Sequence, residues 1–140
     1  MAAKRIFLLI GHNVFREALA LVLNETSDLE VVSQAGSLTD VSDVDLERNI
    51  DVALLGLPLS EGEGLAVMRQ LSTHHADAVV LVLGSPLDPS GMVRALEAGA
   101  AGVLSTSRSL EEIVEAIRSS ASWRRRPIAR GVALWGSGGG

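Results

Sequence analysis

The side chains able to carry chemistry in this chain are few, and their spacing limits what each can do. Glu61 and Glu63 form a carboxylate pair of the kind general acid–base catalysis uses, but Gly62 and Gly64 interleave with them and mark a loop that faces water. His74 and His75 are adjacent. On a helix end such neighbours point about 100° apart and do not share a metal as an i, i+4 pair would. His12 needs a facing nucleophile to act as a base, and the pattern around it supplies none, so loop packing suits it better. Ser85, Ser105, Thr106 and Ser107 carry hydroxyls without a paired base, which is the pattern of turn and cap residues. The absence of cysteine excludes disulfides and thiolate metal sites, and neither GxGxxG nor GxxxxGK[ST] joins a strand to a helix. The residues predict no enzyme, no catalytic group, no metal and no cofactor.

Whatever site exists must be positioned by Asn49–Gly64, NIDVALLGLPLSEGEG. Asp51–Leu55 is a short apolar run closed by Gly56, Pro58, Gly62 and Gly64, and an amphipathic helix pattern follows it. A strand covered on both faces reads as continuous apolar residues, as in the middle of a parallel sheet, and the carboxyl ends of such strands carry the chemistry of the fold. Gly56, at that end, has no side chain to contribute.

The remaining elements alternate around this strand. Ile6–Ile10 predicts a first buried strand and Asn13 a cap for a helix with Val14, Ala18, Leu21 and Val22 on its stripe. Leu29–Val32 predicts a second strand. Gly36–Asp45 predicts a short or irregular helix with Ser37, Thr39 or Ser42 as cap. Helix Glu63–Leu71, strand Ala78–Leu83, helix Pro89–Ala98 capped by Gly99, strand Gly102–Leu104 and a helix capped by Ser109 complete the body. The last helix buries Leu110, Ile113, Val114 and Ile117. Five strands alternating with five helices give an α/β, flavodoxin-like (βα)5 doubly wound parallel sheet in the order 2-1-3-4-5.

A chain of 140 residues is the size of one domain, and no apolar run approaches the roughly 18–20 residues that cross a bilayer. No secretory leader precedes the first strand, so a cytoplasmic location away from membranes is expected. The net charge of −5 is uneven: all 17 acidic residues but only eight of the 12 Lys and Arg precede Trp123, leaving the body at −9. Arg124, Arg125, Arg126 and Arg130 give the rest +4. A body this acidic repels nucleic acid. We read residues 1–120 as the folded domain and 121–140 as a basic, partly flexible linker or tail, with Trp123 packed on the body.

Four stretches carry a family resemblance: HNVFREALALVL (His12–Leu23), DLEVVSQAGS (Asp28–Ser37), NIDVALLGLPLSEGEGLAVMRQL (Asn49–Leu71) and ALEAGAAGVLSTSRSLEEIVEAIR (Ala95–Arg118). Over about Lys4–Arg118 the chain resembles the receiver domain of two-component response regulators, particularly those in which it precedes a LuxR-type helix-turn-helix. The resemblance implies phosphoryl transfer from a histidine kinase to an aspartate, with Mg²⁺ held by two acidic residues after the first strand. Position by position, the acidic pair falls on Ile10 and Gly11, the nucleophile on Gly56, the hydroxyl residue on Gly84, the lysine on Thr106 and the aromatic switch residue on Val103. The family's residue types stand at none of these positions. The expectation is an atypical pseudo-receiver that takes no aspartyl phosphate and binds no Mg²⁺.

Gly11, Gly56 and Gly84 together predict an uncharged, emptier cleft, filled by collapsed loops or water or else open to a small-molecule ligand. Met92, Arg94, Leu96, Val103, Arg108, Glu112 and Glu115 form a candidate partner surface on and beside the last two helices. The resemblance implies a regulatory homodimer that reaches DNA through a C-terminal domain outside this chain. Ligand sensing through the cleft, and service as the targeting domain of a larger assembly ATPase, are the alternatives.

Overall fold

The computed structural model describes residues 3–41, 49–56, 61–75, 77–85, 89–120 and 133–135. Their strands are β1 (Lys4–Leu9), β2 (Leu29–Ala35), β3 (Val52–Gly56), β4 (Val79–Gly84), β5 (Gly102–Ser105) and β6 (Ala133–Trp135). The helices are α1 (Asn13–Glu25), α2 (Glu61–His74), α3 (Pro89–Glu97) and α4 (Leu110–Ser120), with a short 3-10 helix at Leu38–Asp40. All pairings are parallel, in the order β2-β1-β3-β4-β5-β6. The order 2-1-3-4-5 therefore stands as read from the sequence, and a sixth strand extends it.

Alternation along the strands divides the core in two. Ile6, Leu8, Val52, Leu54, Leu81, Leu83 and Leu104 turn to one face, where Leu19 and Leu23 of α1 and Ile113 and Ile117 of α4 cover them. Phe7, Leu9, Ala53, Leu55, Val82 and Val103 turn to the other, against Val67, Met68 and Leu71 of α2. Each fully buried side chain of this size contributes about 1.5–3 kcal/mol relative to exposure. That is why strands with both faces covered show no polar alternation.

Several expectations need correction. The cap of α1 is His12, not Asn13: its Nδ1 accepts the Phe15 N–H at 3.1 Å. The α1 stripe is rotated so that Phe15, Leu19, Val22 and Leu23 face the core, while Val14 and Leu21 are 75% and 68% exposed. Glu61 and Glu63 lie in the first turn of α2 and not in a loop. β2 runs three residues further than expected, to Ala35. Of the predicted second helix only the 3-10 turn lies among the described residues, since 42–48 fall outside them. Trp123 and most of the tail also fall outside, but Ala133–Trp135 is strand, not free linker.

Two helix ends follow their sequence signals. Gly99 has φ 118°. It donates its N–H to Leu96 O at 3.1 Å, and Ala100 donates to Ala95 O at 3.1 Å. This pair of bonds is a Schellman stop. Ser109 and Glu112 cap α4 reciprocally, Ser109 Oγ accepting the Glu112 N–H at 3.2 Å and Glu112 Oε1 accepting the Ser109 N–H at 3.2 Å. Nothing lies within 4 Å of a Cβ built on Gly99, so Gly99→Ala strains only the backbone. Urea unfolding of that variant should show a loss of about 1–2 kcal/mol; unchanged stability would refute the left-handed stop.

Candidate functional site

The carboxyl edge of the sheet gathers Ile10, Gly11, Gly56, Gly84, Ser105 and Thr106, because parallel strands place all their C-terminal ends together. Ile10 follows β1, is only 4% exposed and donates its N–H to Ala35 O at 3.0 Å. Gly56 ends β3 and is buried. A Cβ built on Gly56 would stand 3.1 Å from Ile10 Cγ2 and 3.2 Å from Ile10 Cγ1. The isoleucine branch thus packs closely beside Gly56, so that a side chain at residue 56 would press on it. Gly84 is buried, and its carbonyl accepts the Thr106 N–H at 3.1 Å, while Thr106 itself is exposed. Gly11 is exposed, with only Gly36 O, at 3.5 Å, near its built Cβ.

The loop that carries Ile10 is tied down by residues the sequence reading passed over. Arg16 Nη1 donates to Ile10 O at 2.9 Å and to Asn13 Oδ1 at 2.8 Å, and Arg16 Nε donates to Gln34 Oε1 at 3.1 Å. One guanidinium therefore joins the β1–α1 loop to the end of β2. Gly36 leaves room for it, since a Cβ there would come within 2.9 Å of Arg16 Nη1. Arginine at the start of an amphipathic helix was the available signal, but nothing in the spacing says which carbonyl it reaches.

The other candidates are engaged in structural bonds. His12 spends Nδ1 on its cap, which removes it as a base at that nitrogen. Ser105 and Ser107 hydroxyls bond each other at 2.7 Å, and Ser107 N donates to Ser105 Oγ at 3.1 Å, closing a turn. Among the described residues no three His, Asp or Glu side chains group closely enough to hold a metal. No described helix is long and apolar enough to cross a membrane.

The proposed partner surface does not survive whole. Val103 is 2% exposed inside the sheet, and Met92 and Leu96 are half-buried against the core beside Phe7 and Leu9. What reaches solvent from that set is polar: Arg94, Glu112, Glu115 and part of Arg108. Arg108 Nη1 pairs with Glu112 Oε2 at 2.7 Å, and Arg118 Nη1 lies 3.7 Å from Glu115 Oε2. The Arg108 bond, followed by those from Ser109, holds the Glu112 carboxyl below its ordinary range. Apolar exposure lies instead on α1, at Val14 and Leu21, and at Val93 of α3, which is 53% exposed.

A parallel sheet in this order, with helices on both faces, is the flavodoxin-like doubly wound fold. A family profile for the response regulator receiver domain matches residues 7–118, and the chain belongs to that family. It is 28% identical over 116 residues to the transcriptional regulatory protein LiaR of Bacillus subtilis, covering 83% of this chain and 55% of LiaR. The chain thus spans about half the length of that relative. The signal receiver domain of the response regulator NarL from Mycobacterium tuberculosis superposes with a TM-score of 0.75 at 25% identity, covering 87% of this chain and 98% of that one. A DNA-binding response regulator of the LuxR family from Staphylococcus aureus superposes at 0.73 with 20% identity over 84% and 98% of the two chains, a likeness of fold.

The contact between Ile10 and Gly56 makes the two positions interdependent. Gly56→Ala should cost about 1–3 kcal/mol by overpacking. In an Ile10→Ala background the same change should cost less, with a coupling of about 0.5–3 kcal/mol in a double-mutant cycle of urea unfolding. Equal costs in both backgrounds would show that Ile10 does not fill the space above Gly56.

Proposed function

We propose that this chain is a receiver-like regulatory module that works without aspartyl phosphorylation, as part of a LuxR-type transcription regulator. The observation that carries the reading is Ile10 packed over Gly56 at the end of β3. Phosphoryl transfer there needs a carboxylate nucleophile and hard oxygen ligands for Mg²⁺. The positions matched to those roles hold Gly56, Ile10 and Gly11. Gly84 and Thr106, at the positions matched to the hydroxyl and the lysine, leave no cation to grip phosphoryl oxygens.

In this reading residues 1–120 form the regulatory domain, act in the cytoplasm as a homodimer and perform no catalysis. DNA is contacted through a C-terminal domain outside the chain, in keeping with LuxR-type relatives and with an acidic body unsuited to the phosphate backbone. Exposed Val14 and Leu21 on α1, and Val93 on α3, support these helices as parts of the copy-to-copy contact. Ligand sensing through the cleft gains less support, because Ile10 occupies space that a ligand would need.

Incubation with acetyl phosphate and Mg²⁺, followed by intact-mass analysis, should leave the chain unmodified and its sedimentation unchanged, while a receiver bearing the aspartate gains one phosphoryl group in parallel. A stoichiometric phosphoryl adduct on this chain would overturn the reading.

A further inference from the structure

The outer edge of β5 is where the fold goes beyond the pattern in the sequence. Ala133–Trp135 runs along it in parallel, with the register Gly102↔Ala133, Val103↔Leu134 and Leu104↔Trp135. On the other side Gly84 O, in register with Ser105, accepts the Thr106 N–H at 3.1 Å. Alternate residues of a parallel strand turn their peptide groups to opposite neighbours. By that alternation Gly102 and Leu104 address β4, and Val103 and Ser105 address β6. All four residues of β5 are buried, including Gly102, which has no side chain to be covered. Its burial means that the strand's own backbone is shielded from water.

An uncovered β5 would present unpaired peptide groups at the margin of the sheet, the feature through which sheets extend into neighbouring molecules. A second copy brings the same edge. Two such edges related by a twofold axis meet antiparallel, each supplying the Val103 and Ser105 peptide groups that β6 uses. Pairing with the chain's own tail and pairing with the edge of another copy are therefore mutually exclusive.

We propose that Ala133–Trp135 is an intramolecular strap that closes the edge of β5, and that the partner it excludes is the β5 edge of a second copy of this chain. The proposal does not depend on the phosphorylation reading.

Trp135→Pro in the 140-residue chain tests it, since the register sets the Trp135 N–H against the Val103 carbonyl and proline removes that donor while leaving β1–β5 unaltered. Amide exchange at Val103 and Ser105 should quicken by about tenfold or more, and sedimentation should show a concentration-dependent species larger than the parent's. A peptide of residues 131–137, GVALWGS, added to the variant should reverse both effects, which separates release of the strap from general unfolding. Unchanged exchange at Val103 and Ser105, or quickening that the peptide does not reverse, would overturn the strap. Quickened exchange without a larger species would overturn the second copy as the excluded partner.

Discussion

Enclosing β3 on both faces and along both edges is the constraint from which the rest of the structure follows. Every residue from Val52 to Gly56 is buried, with β1 on one side and β4 on the other. A strand so placed must be apolar throughout, and it forces helices onto both faces of the sheet. The same parallel arrangement brings the loops after β1, β3, β4 and β5 to one edge. At that edge the enclosure ends with a hydrocarbon side chain, Ile10, packed beside Gly56.

The main elements were legible because their signals are local and strong. Continuous apolar runs marked β1, β3 and β4, shorter apolar segments marked β2 and β5, and the short connections implied the order. Ser109 with Glu112, and Gly99, marked helix ends through chemistry that needs no tertiary information. The phase of α1 was not legible, because Val14, Ala18, Leu21 and Val22 and the rotated set Phe15, Leu19, Val22 and Leu23 both fit a helical period. Which set faces inward depends on where the loop after β1 releases the chain, a loop that Arg16 ties through the Ile10 carbonyl. Gly62 and Gly64 hid the first turn of α2 because their loop preference was overridden by the helix that contains them.

The candidate site shows a more general limit of reading absent side chains. Three glycines at strand ends suggested space, but a neighbour one strand away fills the part nearest Gly56. Residue types can say that carboxylates are missing; packing alone says what replaced them. The same holds for the partner surface, where Met92, Leu96 and Val103 looked available in sequence and prove to be held by the core. β6 falls in a four-residue apolar run, Val132–Trp135, too short to announce a strand within a basic tail, and its pairing depends on an edge formed thirty residues earlier in the chain.

The most direct test of the account is an amide NMR titration of the chain with Mg²⁺ and then with beryllofluoride, which mimics an aspartyl phosphate. The account predicts no saturable shift at Ile10, Gly56, Gly84 or Thr106. Saturable shifts clustered at those four residues would mean that the edge still assembles a phosphoryl site, and would contradict it.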